Sequence, residues 1–127
     1  MGLISSEYEK VSKVDIPCVK VLVRKGVVHY TPCIGERVCR IVLCGLFPMA
    51  ATGEEDVVYS ENSRFVNCGF VHVYASLSDC IDWSWRYHDG GSIEFYECVI
   101  PAGVRYWESD DGSMYAAKKI KFVKKIK

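Results

Sequence analysis

The chain lacks a net charge, a long apolar run and a recognisable catalytic motif, and each lack removes a class of function. Sixteen Lys and Arg residues balance sixteen Asp and Glu residues over 127 positions. Proteins that grip phosphate backbones usually carry a basic excess, so there is no strong nucleic-acid signal. No stretch approaches the ~20 apolar residues of a membrane-spanning helix, and the first fifteen residues hold no apolar core of a secretory leader, so no membrane partner is expected. No two of the seven cysteines, Cys18, Cys33, Cys39, Cys44, Cys68, Cys80 and Cys98, stand at the two-residue gap that zinc sites favour. His29, His72 and His88 add no ligand spacing, so neither a metal nor another cofactor is expected. The glycine-rich phosphate loops, the His-Glu-x-x-His pair and the Gly-x-Ser-x-Gly elbow are also missing.

What remains is one small domain's worth of chain, half of it apolar. Several cysteines sit inside apolar runs, as in Val38-Cys39-Arg40-Ile41-Val42-Leu43-Cys44, where cysteine acts as a small hydrophobe. They read as reduced core residues, which points to a cytoplasmic location.

Residues 1–15 are polar and read as a flexible arm, with residues 16–127 as the single domain. From Ile16 to Lys25 the β-branched density predicts a strand, and Lys25-Gly26 a turn into the next one. Residues 37–44 predict another strand, residues 45–56 a surface loop, residues 57–59 a short strand and residues 65–75 a longer one. Ser76 with Asp79 three residues on forms a capping box, and Gly90 with Gly91 provides a stop, so the spacing predicts one main helix over residues 77–88. Residues 92–100 predict a strand, Asp110-Asp111-Gly112 a hairpin turn, and the lysine-alternating C-terminus an edge strand. Together these elements predict an α+β class. They describe a small strand-rich domain with an antiparallel sheet, open-barrel or sandwich-like, and one main helix.

Aromatic and basic residues crowd the C-terminal half. Flat rings stack on bases while cations meet phosphates, so this mixture suits a small nucleotide-like ligand. The candidate contacts are Tyr59, Arg64, His72, Trp85, Arg86, Tyr106, Tyr115 and Lys118. The alternative is that most of these rings fill the core. No residue is nominated as catalytic, and with half the chain apolar a homo-oligomer is an expectation.

Two segments resemble short proteins of phages and gut bacteria. One is Asn67-Cys68-Gly69-Phe70-Val71-His72-Val73-Tyr74 leading into Asp79, with Val71 as an extra residue before the histidine. The other is Glu97-Cys98-Val99-Ile100-Pro101-Ala102-Gly103-Val104-Arg105-Tyr106, followed by Tyr115 to Ile120. More distantly, Ile100-Pro101-Ala102-Gly103 is similar to the turn before the catalytic glutamate strand of ADP-ribosyltransferases, but Ala116-Ala117-Lys118-Lys119 stands where that glutamate belongs. The first resemblance carries no activity with it. The second implies a ligand-binding relic without transferase chemistry. The leading expectation is therefore a phage anti-defence sponge that sequesters an ADP-ribose-type or cyclic-nucleotide immune signal. The alternatives are a ribosyltransferase-like or nucleotide-hydrolysing enzyme, and a protein–protein inhibitor or virion module.

Overall fold

A computed structural model describes residues 3–26, 28–30, 37–38, 48–51, 53–84 and 92–126. The described residues are strand-rich, with antiparallel sheets and one short helix.

The strands are β1 (Leu3–Ser5), β2 (Lys10–Val11), β3 (Ile16–Lys25), β4 (Val28–Tyr30), β5 (Arg37–Val38), β6 (Pro48–Ala50), β7 (Val57–Tyr59), β8 (Arg64–Val66) and β9 (Val71–Tyr74). The helix α1 (Leu77–Ser84) precedes β10 (Ser92–Ile100), β11 (Arg105–Glu108), β12 (Met114–Ala117) and β13 (Lys119–Lys125). A small sheet has the order β1-β8-β7. The larger sheet runs β2-β11-β12-β9-β3-β10-β13-β6, with β4 on β3 and β5 on β4.

β3 is the axis of the larger sheet, and its sequence explains why. Cys18 through Val23 are all buried, because both faces of the strand are covered. Cys18 and Leu22 join an inner cluster with Val73, Tyr96, Ile100, Ile120 and Phe122, while Val19 and Val21 pack with Tyr74 and Cys80 on the opposite face. A strand buried on both sides reads as a continuous apolar run, without the alternation of a half-wet strand. Fully burying a side chain such as Leu22 or Ile120 contributes about 1.5–3 kcal/mol.

Lys20 interrupts that run, yet it too is buried. β9 and β3 share one register pair, Val19↔Tyr74, and the Lys20 ammonium donates to the His72 carbonyl at 2.8 Å beside it. The long side chain thus satisfies a backbone acceptor where the two strands splay.

Turn chemistry is as the sequence predicts. Gly26 joins β3 to β4 with φ +65°, Gly103 follows β10 with φ +86°, and Gly112 closes the β11–β12 hairpin with φ +73°. The serine cap forms, with the Asp79 amide donating to Ser76 Oγ at 3.3 Å, and that hydroxyl donates to Asp79 Oδ2 at 2.7 Å where a full capping box would engage the Ser76 N–H.

Several expectations are corrected. The polar arm is built into the sheets: Leu3 is 1% exposed, β1 pairs with β8, and β2 pairs with β11. Strands this short carry no periodic signal of their own. The segment expected as a loop over residues 45–56 contains β6, which pairs with β13. The single strand expected over residues 65–75 is two, β8 and β9, separated where Gly69 takes φ +77°. β13 is flanked on both sides at Lys121, by β10 and β6, while over Phe122–Lys125 only β10 pairs with it among the described residues, as expected of an edge. Among the described residues β6 ends the sheet on this side, and its Pro48 carries no N–H to offer a further strand. The helix is described to Ser84; the remainder of the predicted span, and most of the strand expected over residues 37–44, lie outside the described residues.

Candidate functional site

In an antiparallel sheet, directly opposed residues face the same side and neighbours along a strand alternate. Register therefore sorts the nominated residues. Tyr106 opposes Ala117 on β12 and Lys10 on β2, while Tyr115 opposes Glu108 on β11 and Val73 on β9. Lys10, Tyr106, Glu108 and Tyr115 thus share the face of the inner cluster. His72 opposes Ala116, each one residue out of step with the Val73–Tyr115 pair, so His72 lies on the other face.

On the inner face the Tyr106 and Tyr115 rings meet edge to face, with centroids 5.9 Å apart and planes at 74°. Both pack against the inner cluster while keeping part of their surface in water, as do Ile16, Met49, Ala51 and Val104. Burial, then the Glu108 carboxylate, raises the Tyr115 hydroxyl above its ordinary value. The Glu7 carboxylate, 2.6 Å away, holds the Lys10 ammonium above the usual lysine value. An aromatic pair flanked by a cation and a carboxylate can stack a flat ring and hold polar groups at its edge. Lys10 and Glu108 have no sequence signal linking them to the tyrosines; the link exists only through strand register.

On the opposite face, Lys118 donates to the Gly69 carbonyl at 2.9 Å, pairs with Glu55 at 3.1 Å, and lies 4.9 Å from the Phe70 ring centre. Arg105 pairs with Glu9 at 2.7 Å and with the same Glu55 at 3.2 Å. An anion approaching Lys118 would have to displace Glu55, whose carboxyl is held below its usual range first by Lys118 and then by Arg105.

His72 stands on β9 with its ring turned to the end of β8, its Nε2 3.1 Å from the Val66 carbonyl and its Nδ1 3.3 Å from the Phe70 carbonyl. A neutral imidazole donates to one acceptor only, and the shorter contact suits the Nε2–H tautomer. Burial pushes its pKa below the ordinary 6.5; the Val66 carbonyl opposes this, and the Lys20 ammonium adds to it. The folded state therefore resists a proton that the unfolded chain accepts. As pH falls below about 6.5 the unfolded chain binds that proton first, so stability declines until the folded pKa is passed. Urea midpoints measured at pH 7.5 and 5.5 should show this loss. His72→Gln, which keeps a donor, should flatten the difference.

Tyr59 and Arg64 belong to the small sheet, in one row with Ser5. The Arg64 guanidinium donates to the Ser6 carbonyl at 2.6 Å and covers the Tyr8 ring at 4.1 Å. Trp85 and Arg86 lie outside the described residues. The nominated residues thus form separate groups, with Tyr106 and Tyr115 together, His72 and Lys118 on the reverse face, and Tyr59 with Arg64 on the other sheet. Trp107, by contrast, fills a core cluster with Leu3, Val66 and Phe70.

Three of the described thiols are held protonated by burial. Burial pushes Cys18 up to about 12 and Cys80 up to about 11, and raises Cys98 as well. The four described cysteines are free thiols. Among the described residues no cluster of His, Cys, Asp and Glu is placed to hold a metal ion, and no helix is long and apolar enough to cross a membrane.

One buried group escaped the sequence reading altogether. Glu94, 3% exposed, receives the Tyr96 hydroxyl at 2.9 Å, Arg24 at 3.0 Å and Lys125 at 2.7 Å. These residues come from three neighbouring strands, and only the β3–β10–β13 order brings them together. No protein-family model, no curated protein and no solved structure matches the chain.

Proposed function

We propose that this chain is a binding protein for a small nucleotide-derived ligand and performs no chemistry of its own on it. The observation that carries this reading is the half-buried Tyr106–Tyr115 pair on the rim of the inner cluster, with Lys10 and Glu108 on the same face. The base stacks against the tyrosines, Lys10 exchanges its Glu7 partner for a phosphate, and Glu108 accepts from a ribose hydroxyl. The larger sheet, in this reading, curls as the open-barrel side of an α+β domain, so that the tyrosines line its mouth. Burial keeps the thiols of Cys18, Cys80 and Cys98 protonated, which makes these three core residues poor nucleophiles. A sponge of this kind, working in a phage-infected host's cytosol, removes an ADP-ribose-type or cyclic-nucleotide immune signal.

Thermal-shift measurements with ADP-ribose derivatives and cyclic dinucleotides test this. A true ligand at a hundredfold excess over Kd adds ~2.7 kcal/mol to stability. Tyr106→Leu keeps the apolar packing but removes the hydroxyl and the aromatic face, and should weaken binding about tenfold, in line with ~1–3 kcal/mol per stacked base. No stabilisation by any of these compounds would defeat the reading. Chromatography of ligand released by heat separates sponge from enzyme, since a sponge returns it unchanged.

A further inference from the structure

Apart from the ligand face, the small sheet presents an apolar surface to water. Ile4, Phe65 and Val58 lie opposite one another across β1, β8 and β7, so they form one row on one face. Leu3, Val66 and Val57 form the adjacent row on the other face and are packed inward. The outward row stays exposed, at 52%, 41% and 52% respectively. Scattered exposed apolar residues are ordinary, but three in cross-strand register make a continuous patch.

The row ends at an open strand edge. β7 is the terminal strand of its sheet, and among the described residues nothing pairs with its outer side. The Asn67 amide donates to the Asp56 carbonyl and the Ser60 amide to the Ser63 carbonyl, each at 2.9 Å. In an antiparallel ladder the bonded positions alternate, so Asp56, Val58 and Ser60 turn their backbone toward β8. Val57 and Tyr59 then direct their N–H and C=O groups outward.

The charge on the edge segment itself has one sign. Residues 54–61 carry Glu54, Glu55, Asp56 and Glu61 and no lysine or arginine, and all four carboxylates are on exposed residues. Glu55 is held by Lys118 and Arg105, which leaves Glu54, Asp56 and Glu61 around the strand. A second copy added antiparallel about Val58 would set Glu55 and Asp56 of each copy close to Glu61 of the other. Like charges so placed repel, so this edge is built against self-pairing. We propose that β7 accepts, as an added strand, an extended segment of another protein whose alternate residues are apolar and whose flanks are lysine or arginine. Its backbone meets Val57 and Tyr59, its apolar residues continue the Ile4–Phe65–Val58 row, and its cations meet Glu54, Asp56 and Glu61.

The probe is a short labelled peptide of alternating valine and threonine between paired lysines, with a counterpart carrying glutamates in place of the lysines. Fluorescence anisotropy should show at least about tenfold tighter binding of the lysine peptide, weakening as salt rises. Amide shifts in a nitrogen–proton correlation spectrum should concentrate on Val57 and Tyr59. The double variant Glu54→Lys, Glu61→Lys should lose the preference, and Val58→Lys should lose binding, both with far-UV circular dichroism unchanged. No binding, equal binding of the two peptides, or shifts elsewhere would overturn the proposal. So would sedimentation of the chain as a dimer that Val58→Lys dissociates, which would assign the edge to a second copy.

Discussion

Gly69→Ala is expected to destabilise the protein by about 3 kcal/mol or more, well beyond an ordinary glycine-to-alanine change. The residue has φ +77°, a left-handed conformation that costs an L side chain about 1–2 kcal/mol. A Cβ built there lies 2.6 Å from the Glu54 carbonyl oxygen and 2.6 Å from the Glu55 Cα. Both are backbone atoms, so no side-chain rotation relieves the contact, and overpacking of this kind adds about 1–3 kcal/mol. The segment bearing Glu54 and Glu55 must move. That movement would pull Glu55 from Lys118 and Arg105, and would disturb the Asp56–Cys68 and Asn67–Asp56 backbone bonds. Gly26→Ala is the control: φ is +65° there but nothing lies within 4 Å of a Cβ, so only the conformational cost of about 1–2 kcal/mol applies. Urea unfolding of the two variants measures the difference, and equal losses would show that the close approach at Gly69 is not rigid.

Glu94→Ala is expected to cost about 2–4 kcal/mol. The carboxylate is buried among strands and is the shared partner of Arg24, Lys125 and the Tyr96 hydroxyl. Truncation removes the Glu94 acceptor of the Tyr96 hydroxyl, on a tyrosine that is 2% exposed, and losing a buried bond of this kind costs up to about 1–3 kcal/mol. Breaking a buried ion pair by deleting one partner costs about 3–5 kcal/mol. The total falls below the sum because Arg24 and Lys125 are 43% and 38% exposed and can turn to water. Glu94→Gln keeps an acceptor for Tyr96 and should lose less. If Glu94→Ala unfolds at the same denaturant concentration as the parent, the cluster is not structural.

These two positions also mark how far the sequence could be read. Gly69 was visible only as a glycine inside an apparent strand, and a glycine there signals a break without saying what approaches it. Glu94 alternates with Tyr96 and Cys98 along β10, which announces a strand face but not that the face is covered. Tyr106 and Tyr115 were nominated for their chemistry, yet the same criterion nominated His72, which register places on the reverse side of the sheet, and Lys118, whose contacts with Gly69 and Phe70 place it there too.

Local signals were sufficient where one segment decides its own conformation. The β-branched run of β3, the Ser76–Asp79 cap, and the turns at Gly26, Gly103 and Gly112 all depend on neighbours in the chain. Composition likewise decided that the charge is balanced and the core ample. Tertiary structure alone decided that β1 and β2 are strands, that β6 pairs with the start of β13, and which side chains meet. A strand of two or three residues has no hydrogen-bond partners or periodicity within itself; its identity comes from the strand beside it, and so does the company its side chains keep.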